Sequence, residues 1–85
     1  MAKMYSDNAR TIVGFLRENP NVNLTGKELA EAVGLQPRVA NGTITSLVSK
    51  GLAIRTPAIV NGKEVKFVQL TDEGKTVDLD ADKPE

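Results

Sequence analysis

The chain contains neither histidine nor cysteine. A structural zinc site, a Ser-His-Asp triad, a Cys-His pair and disulfide chemistry are therefore excluded. Any catalysis would have to run on carboxylates, lysine or the single tyrosine. The nearest approach to a paired acid and base is Glu28 with Glu31 on one helical face. Glu28 is claimed by a capping box, described below, and a solvated face accounts for Glu31. The segment Asp78-Leu79-Asp80-Ala81-Asp82 alternates like the start of a calcium loop but lacks the glycine and the twelfth-position glutamate such a loop needs. The expectation is no catalytic residue, no metal and no cofactor.

The side chains left with something to do lie between Leu24 and Leu52, in "LTGKELAEAVGLQPRVANGTITSLVSKGL". Gln36, Arg38, Asn41, Thr45 and Ser49 give a helical segment a polar face of short hydrogen-bonding groups. Arginine is the donor best shaped to grip guanine or phosphate, and Asn and Thr suit base edges. The plain alternative is a solvated face, with Arg38 paired to Glu31. Lys63 and Lys66 pose the same choice on a hairpin, where lysine either meets phosphate or guards a strand edge against aggregation.

Net charge is zero, but it is unevenly spread. Residues 1–32 carry four basic and four acidic side chains, residues 33–71 five and one, and residues 72–85 two and six. The middle of the chain is basic and its end acidic. Aromatic content is 4%, with no Trp, which weakens any reading as a single-strand or RNA binder that stacks bases. There is no apolar run long enough to span a membrane, and "MAKMYSDNAR" has no export signal, so a cytoplasmic protein is expected.

These residues need elements to position them. Eighty-five residues make one small domain. Ala9, Ile12, Val13 and Leu16 recur at helical spacing from Ser6 to Glu18, with Ser6 or Asp7 as cap and Asn19-Pro20 as terminator. Val22-Asn23-Leu24 has room for a very short strand. Thr25-Gly-Lys-Glu28 is a capping box opening a helix whose stripe is Leu29, Ala30 and Val33. Gly34 supplies its left-handed stop, Leu35 points back to the core, Gln36 can cap, and Pro37 suits the first helical position. The next helix runs from Pro37 to Lys50 with Ala40, Ile44, Leu47 and Val48 inward, closed by Gly51. Gly42 inside it implies a close approach there, by another helix or by a ligand backbone.

Beyond Gly51 the period becomes two. "LAIRTPAIV" and "KEVKFVQL" flank Asn61-Gly62, a strong hairpin signal. A two-residue loop sets Gln69 opposite Ile54, so the expected loop is three residues, Val60 to Gly62, pairing Ile54 with Val68 and Leu52 with Leu70. A bulge at Pro57 is the other way to reconcile the pattern. In that register Val65 and Phe67 lie on the outer face beside Ile59 and Arg55, a surface for a protein partner or a second copy. Thr71 caps a short last helix, and residues 78–85 are expected to form an acidic, disordered tail, too charged and too poor in apolar residues to pack.

In this order the chain resembles the winged helix-turn-helix family, and most closely the core of MarR-like transcriptional regulators. "LAEAVGLQP", the ungapped stretch from Arg38 to Lys50-Gly51-Leu52, and "VQLTDEGK" carry the resemblance, which runs from about Thr11 to Val77. It implies an α+β fold, a three-helix core with a β-hairpin wing and a short C-terminal helix, occupying residues 1–77. It implies that helix 37–50 enters double-stranded DNA, with Gln36, Arg38, Asn41, Thr45 and Ser46 toward bases or phosphates. Ser49 continues that face. Lys63 and Lys66 lie on the wing, residues 58–66, which reaches the minor groove or backbone. The wing here reads "NGKEVK", without arginine at its tip. Eighty-five residues leave no room for long dimerising helices, so a dimer, an inducer pocket and an operator spacing are not implied. The expected function is DNA binding in transcriptional regulation. The rival is a protein-interaction module using the wing around Val65 and Phe67.

Overall fold

The computed structural model describes residues 5–80. Helix α1, Asp7–Glu18, begins where the Ser6 hydroxyl accepts the Ala9 amide, and ends at Asn19 before Pro20. Strand β1, Leu24–Thr25, falls later than the expected Val22–Leu24 and leads directly into α2, Gly26–Val33. Both halves of the capping box form: the Glu28 amide donates to Thr25 Oγ1 at 3.3 Å and the Thr25 amide to Glu28 Oε1 at 3.1 Å. Gly34 adopts φ +76°, and the Leu35 amide reaches back to the Ala30 carbonyl. The helix thus closes in the left-handed turn the sequence predicts.

Helix α3, Pro37–Ser49, starts with Pro37 in the first turn. Gln36 makes no side-chain cap, a correction that fits its length, since effective caps are short oxygen-bearing side chains. Gly51 at φ +77° turns the chain into β2, Ala53–Val60, which runs antiparallel to β3, Lys63–Leu70. The strand order is β1-β3-β2. Helix α4, Asp72–Thr76, is capped by Thr71, whose hydroxyl accepts the Gly74 amide. A Cβ at Gly74 would overlap the Leu52 carbonyl oxygen, so glycine is what lets α4 sit against the base of the hairpin.

The hairpin register corrects the sequence expectation. Ile54 pairs with Gln69, not Val68, and pairing runs without a bulge from Ala53↔Leu70 to Val60↔Lys63. The loop is the two residues Asn61 and Gly62, at φ +52° and +76°, the left-handed pair that a type I′ turn requires. The amide opposite Ile54 is satisfied on the outer face: Thr56 Oγ1 donates to Gln69 Oε1 at 2.9 Å, and Gln69 Nε2 to Asn23 Oδ1 at 3.4 Å. A one-residue slip moves every side chain to the other face. Ala53, Arg55, Pro57 and Ile59 therefore share the inner face with Leu70, Val68, Lys66 and Glu64, while Ile54, Thr56, Ala58 and Val60 lie outside with Gln69, Phe67, Val65 and Lys63. Val65 and Phe67 are thus separated from Arg55 and Ile59. Pro57 sits on β2, an outer strand of the sheet, where a missing N–H is tolerated.

The core joins Ile12, Val13 and Leu16 of α1, Leu29 and Ala30 of α2, Ala40, Ile44 and Leu47 of α3, and Leu52, Ala53 and Val68 at the base of the hairpin. No polar or charged residue is buried among the described residues. Arg17 ties the end of α4 to α1, donating to the carbonyls of Gly74 at 3.1 Å and Val77 at 2.5 Å. The chain then runs back along α1, where Leu79 packs against the core and Asp80 meets Arg10. Leu79 thus packs where the sequence reads an unpacked acidic tail at 78–85, because its apolar side chain reaches the core; residues 81–85 lie outside the described residues.

Candidate nucleic-acid interface

Helix α3 has two unlike sides. Ala40, Ile44 and Leu47 are buried, and Val48 is half-buried. On the other side Arg38, Asn41, Gly42, Thr45, Ser46 and Ser49 are all exposed, and they follow the i, i+3, i+4, i+7 rhythm of a single helical face. Gln36 stands exposed at its entrance. All six α3-side positions expected from the sequence are thereby brought together.

Gly42 lies inside that face, and a Cβ added there meets nothing within 4 Å. No described helix approaches it, which corrects one of the two reasons the sequence offers for a glycine there and leaves the other, a ligand backbone. The tight approach is elsewhere: the Asn41 Oδ1 atom stands 2.6 Å from where a Cβ on Gly26 would be. Asn41 therefore leans over the first turn of α2.

Arg38 is exposed, and among the described residues no ion pair joins it to Glu31. The described ion pairs belong to Arg10, with Asp7 and Asp80. Lys50, just beyond the helix, places its ammonium 5.1 Å from the ring centroid of buried Tyr5, a cation–π contact that holds the end of α3.

The two wing lysines are not brought together. Lys66 is on the inner face, diagonally next to Arg55, and Lys63 is beside the turn on the outer face. Arg55 is the residue that sequence reasoning missed. Its Nη2 donates to Thr45 Oγ1 at 3.1 Å, linking the hairpin to the exposed face of α3. The signal lay in the register: with Asn61-Gly62 as a two-residue turn, Arg55 falls inside rather than outside. The outer wing face carries half-buried Val65 and Phe67 beside Ile54 and Val60, exposed at 46% and 43%; on the opposite, inner face Ile59 near the tip is 74% exposed.

Solved structures share this arrangement. One is MepR, a transcription regulator of the Staphylococcus aureus multidrug efflux pump MepA, at TM-score 0.71 and 21% identity over 85% of this chain and 51% of that one. The PcaV transcriptional regulator from Streptomyces coelicolor, solved with its natural ligand, gives 0.68 and 22% over 81% and 47%. NadR in complex with 4-hydroxyphenylacetate gives 0.70 and 28% over 82% and 48%. The fold is a MarR-like winged helix-turn-helix. In that fold α3 is the second helix of the helix-turn-helix and the β2–β3 hairpin is the wing. The chain spans about half the length of these structures. No protein-family model and no curated protein matches the sequence. Among the described residues no helix is long and apolar enough to cross a membrane.

Proposed function

We propose that this winged helix binds double-stranded DNA, with α3 in the major groove and the wing against the backbone, and that it acts in the cytoplasm to regulate transcription. The observation that carries the reading is the exposed face of α3, a full helix length of short polar side chains with a glycine inside it and no competing acid. Asp and Glu are absent from α3 itself, and Glu64 is the sole acid between residues 33 and 71. Such a face fits a groove about 12 Å wide and would present Arg38, Asn41, Thr45, Ser46 and Ser49, with Gln36 at its entrance, to bases and phosphates. Lys63 and Lys66 supply cations on the wing. That MepR and PcaV are transcription regulators agrees with this reading. No catalytic role is assigned to any residue.

The test is titration with random duplex DNA at low and moderate salt, followed by amide chemical shifts. Changes centred on residues 36–49 and 61–66, with affinity falling steeply as salt rises, are expected. Shifts scattered over the molecule, or none, would remove the reading.

A second reading rests on the outer wing face. Ile54, Val60, Val65 and Phe67 form an apolar strip, suited to a protein partner or a second copy. Replacing Ile54 and Val60 together by Thr keeps the strand preference and removes the apolar surface. If the strip associates, sedimentation velocity should show a concentration-dependent species that this double variant lacks.

A further inference from the structure

We infer that Arg55 and Thr45 act as one unit, a pre-positioned phosphodiester clamp where the wing meets the recognition helix, extended along the wing by Lys66. The inference rests on the DNA-binding reading and reassigns Thr45 from reading bases to holding Arg55.

The chemistry follows from the direction of one hydrogen bond. Arg55 Nη2 donates to Thr45 Oγ1 at 3.1 Å. With that bond made, the guanidinium is held in place and has further N–H groups beyond the one used, left to donate outward. The pair therefore presents the guanidinium, which has donors alone, in an orientation fixed by Thr45. A base edge carrying an amino group meets such a pair poorly, whereas a phosphate, which only accepts, meets it well. Guanidinium is also the cation whose planar fork matches two phosphate oxygens.

Placement supports the same ligand. Arg55 is half-exposed and has no carboxylate partner among the described residues. Its Thr45 contact fixes a long side chain before any ligand arrives, so less rotamer freedom is lost on binding. Lys66, opposite Pro57 on the same face, is the diagonal neighbour of Arg55, with side chains rooted roughly 7–8 Å apart. Two cations at that spacing, running outward from α3, follow a strand that leaves the major groove along the wing. Lys63 faces the other way and is outside the clamp.

The experiment uses the whole chain and a random-sequence duplex, with affinity measured by fluorescence anisotropy at several salt concentrations. The variants are Arg55→Met, Thr45→Val, their combination, and Lys66→Met. Arg55→Met is expected to weaken every duplex about tenfold and to lower the salt slope by roughly one unit. Lys66→Met should lower the slope by a similar amount. Thr45→Val, nearly isosteric, is expected to weaken binding several-fold in the unaltered chain and hardly at all once Arg55 is Met. In the free protein, Arg55→Met should move the Thr45 methyl resonance. Equal losses from Thr45→Val in both backgrounds would show that Thr45 contacts DNA by itself, and would overturn the clamp. So would an unchanged slope for Arg55→Met in a chain that otherwise binds duplex, and that outcome would leave the DNA reading standing. A chain that binds no duplex at any salt would remove both.

Discussion

Arg38 and Lys66 illustrate how residue type and position divide the work proposed for this surface. Both are exposed cations, but Arg38 starts the exposed face of α3 and Lys66 lies on the inner face of the wing. Arg38→Ala is expected to cost about 1–3 kcal/mol on a preferred site and to relax preference at one base position. Lys66→Ala should weaken all sequences alike and lower the salt slope by roughly one unit, because one counterion fewer is released. Selection from a randomised duplex pool, together with salt titrations, separates the two. Identical behaviour of the two variants would mean that neither contact is sequence-dependent. At this scale the sequence is only partly legible. The polar set on α3 follows from spacing alone, because buried and exposed positions alternate at the helical period. Arg55 does not, since its face depends on a pairing one residue either way. Keeping Gln69 away from Ile54 presumes that Ile54 belongs to the core. In the fold, Leu52 and Ala53 take the buried positions, while Ile54 stays 46% exposed and Gln69 finds Thr56 and Asn23.

Among the elements, caps are the legible part and pairing is not. Ser6, Thr25 with Glu28, Gly34 and Thr71 each act through neighbours within a few residues, so local sequence specifies them. The glycines show the limit of local reasoning, because the same residue type serves opposite ends. At Gly74 the space a methyl group would need is filled by the Leu52 carbonyl and by Leu70 Cδ2, which would stand 3.2 Å from an added Cβ. Gly74→Ala is expected to lower stability by about 1–3 kcal/mol or more, since backbone must shift to admit the methyl group. Gly42 is its opposite, helical, exposed and open. Gly42→Ala should raise stability by roughly 0.5–1 kcal/mol. If a DNA backbone closes on that face, the same substitution should weaken duplex binding. Thermal unfolding and anisotropy on one preparation decide this, and a variant both more stable and equally tight would show that nothing approaches Gly42.

At the scale of the whole molecule, a net charge of zero conceals a division that bears on association. Five of the eleven basic residues lie between 33 and 71 with one acid, while residues 72–85 hold six acids and two bases. Local contacts place part of the acidic segment: Arg17 holds the Val77 carbonyl, Leu79 packs against the core, and Asp80 meets Arg10 of α1. The acids thus begin from the α1 side of the domain while the wing and α3 carry the bases. Such a separation would orient the protein toward a polyanion and repel it when wrongly presented. Replacing Asp78 and Asp82 by Asn and Glu85 by Gln removes three negative charges and leaves Asp80 on Arg10. Affinity for random duplex is then expected to rise at low salt and to converge with that of the unaltered chain near physiological salt. There the screening length is only about 8 Å, so charges remote from the interface cease to act. Specific-site affinity should rise less than random affinity, because extra attraction to any polyanion favours all duplexes. Equal gains at every salt concentration would place the acids in direct contact with the binding face, and no gain at low salt would mean that they do not influence it.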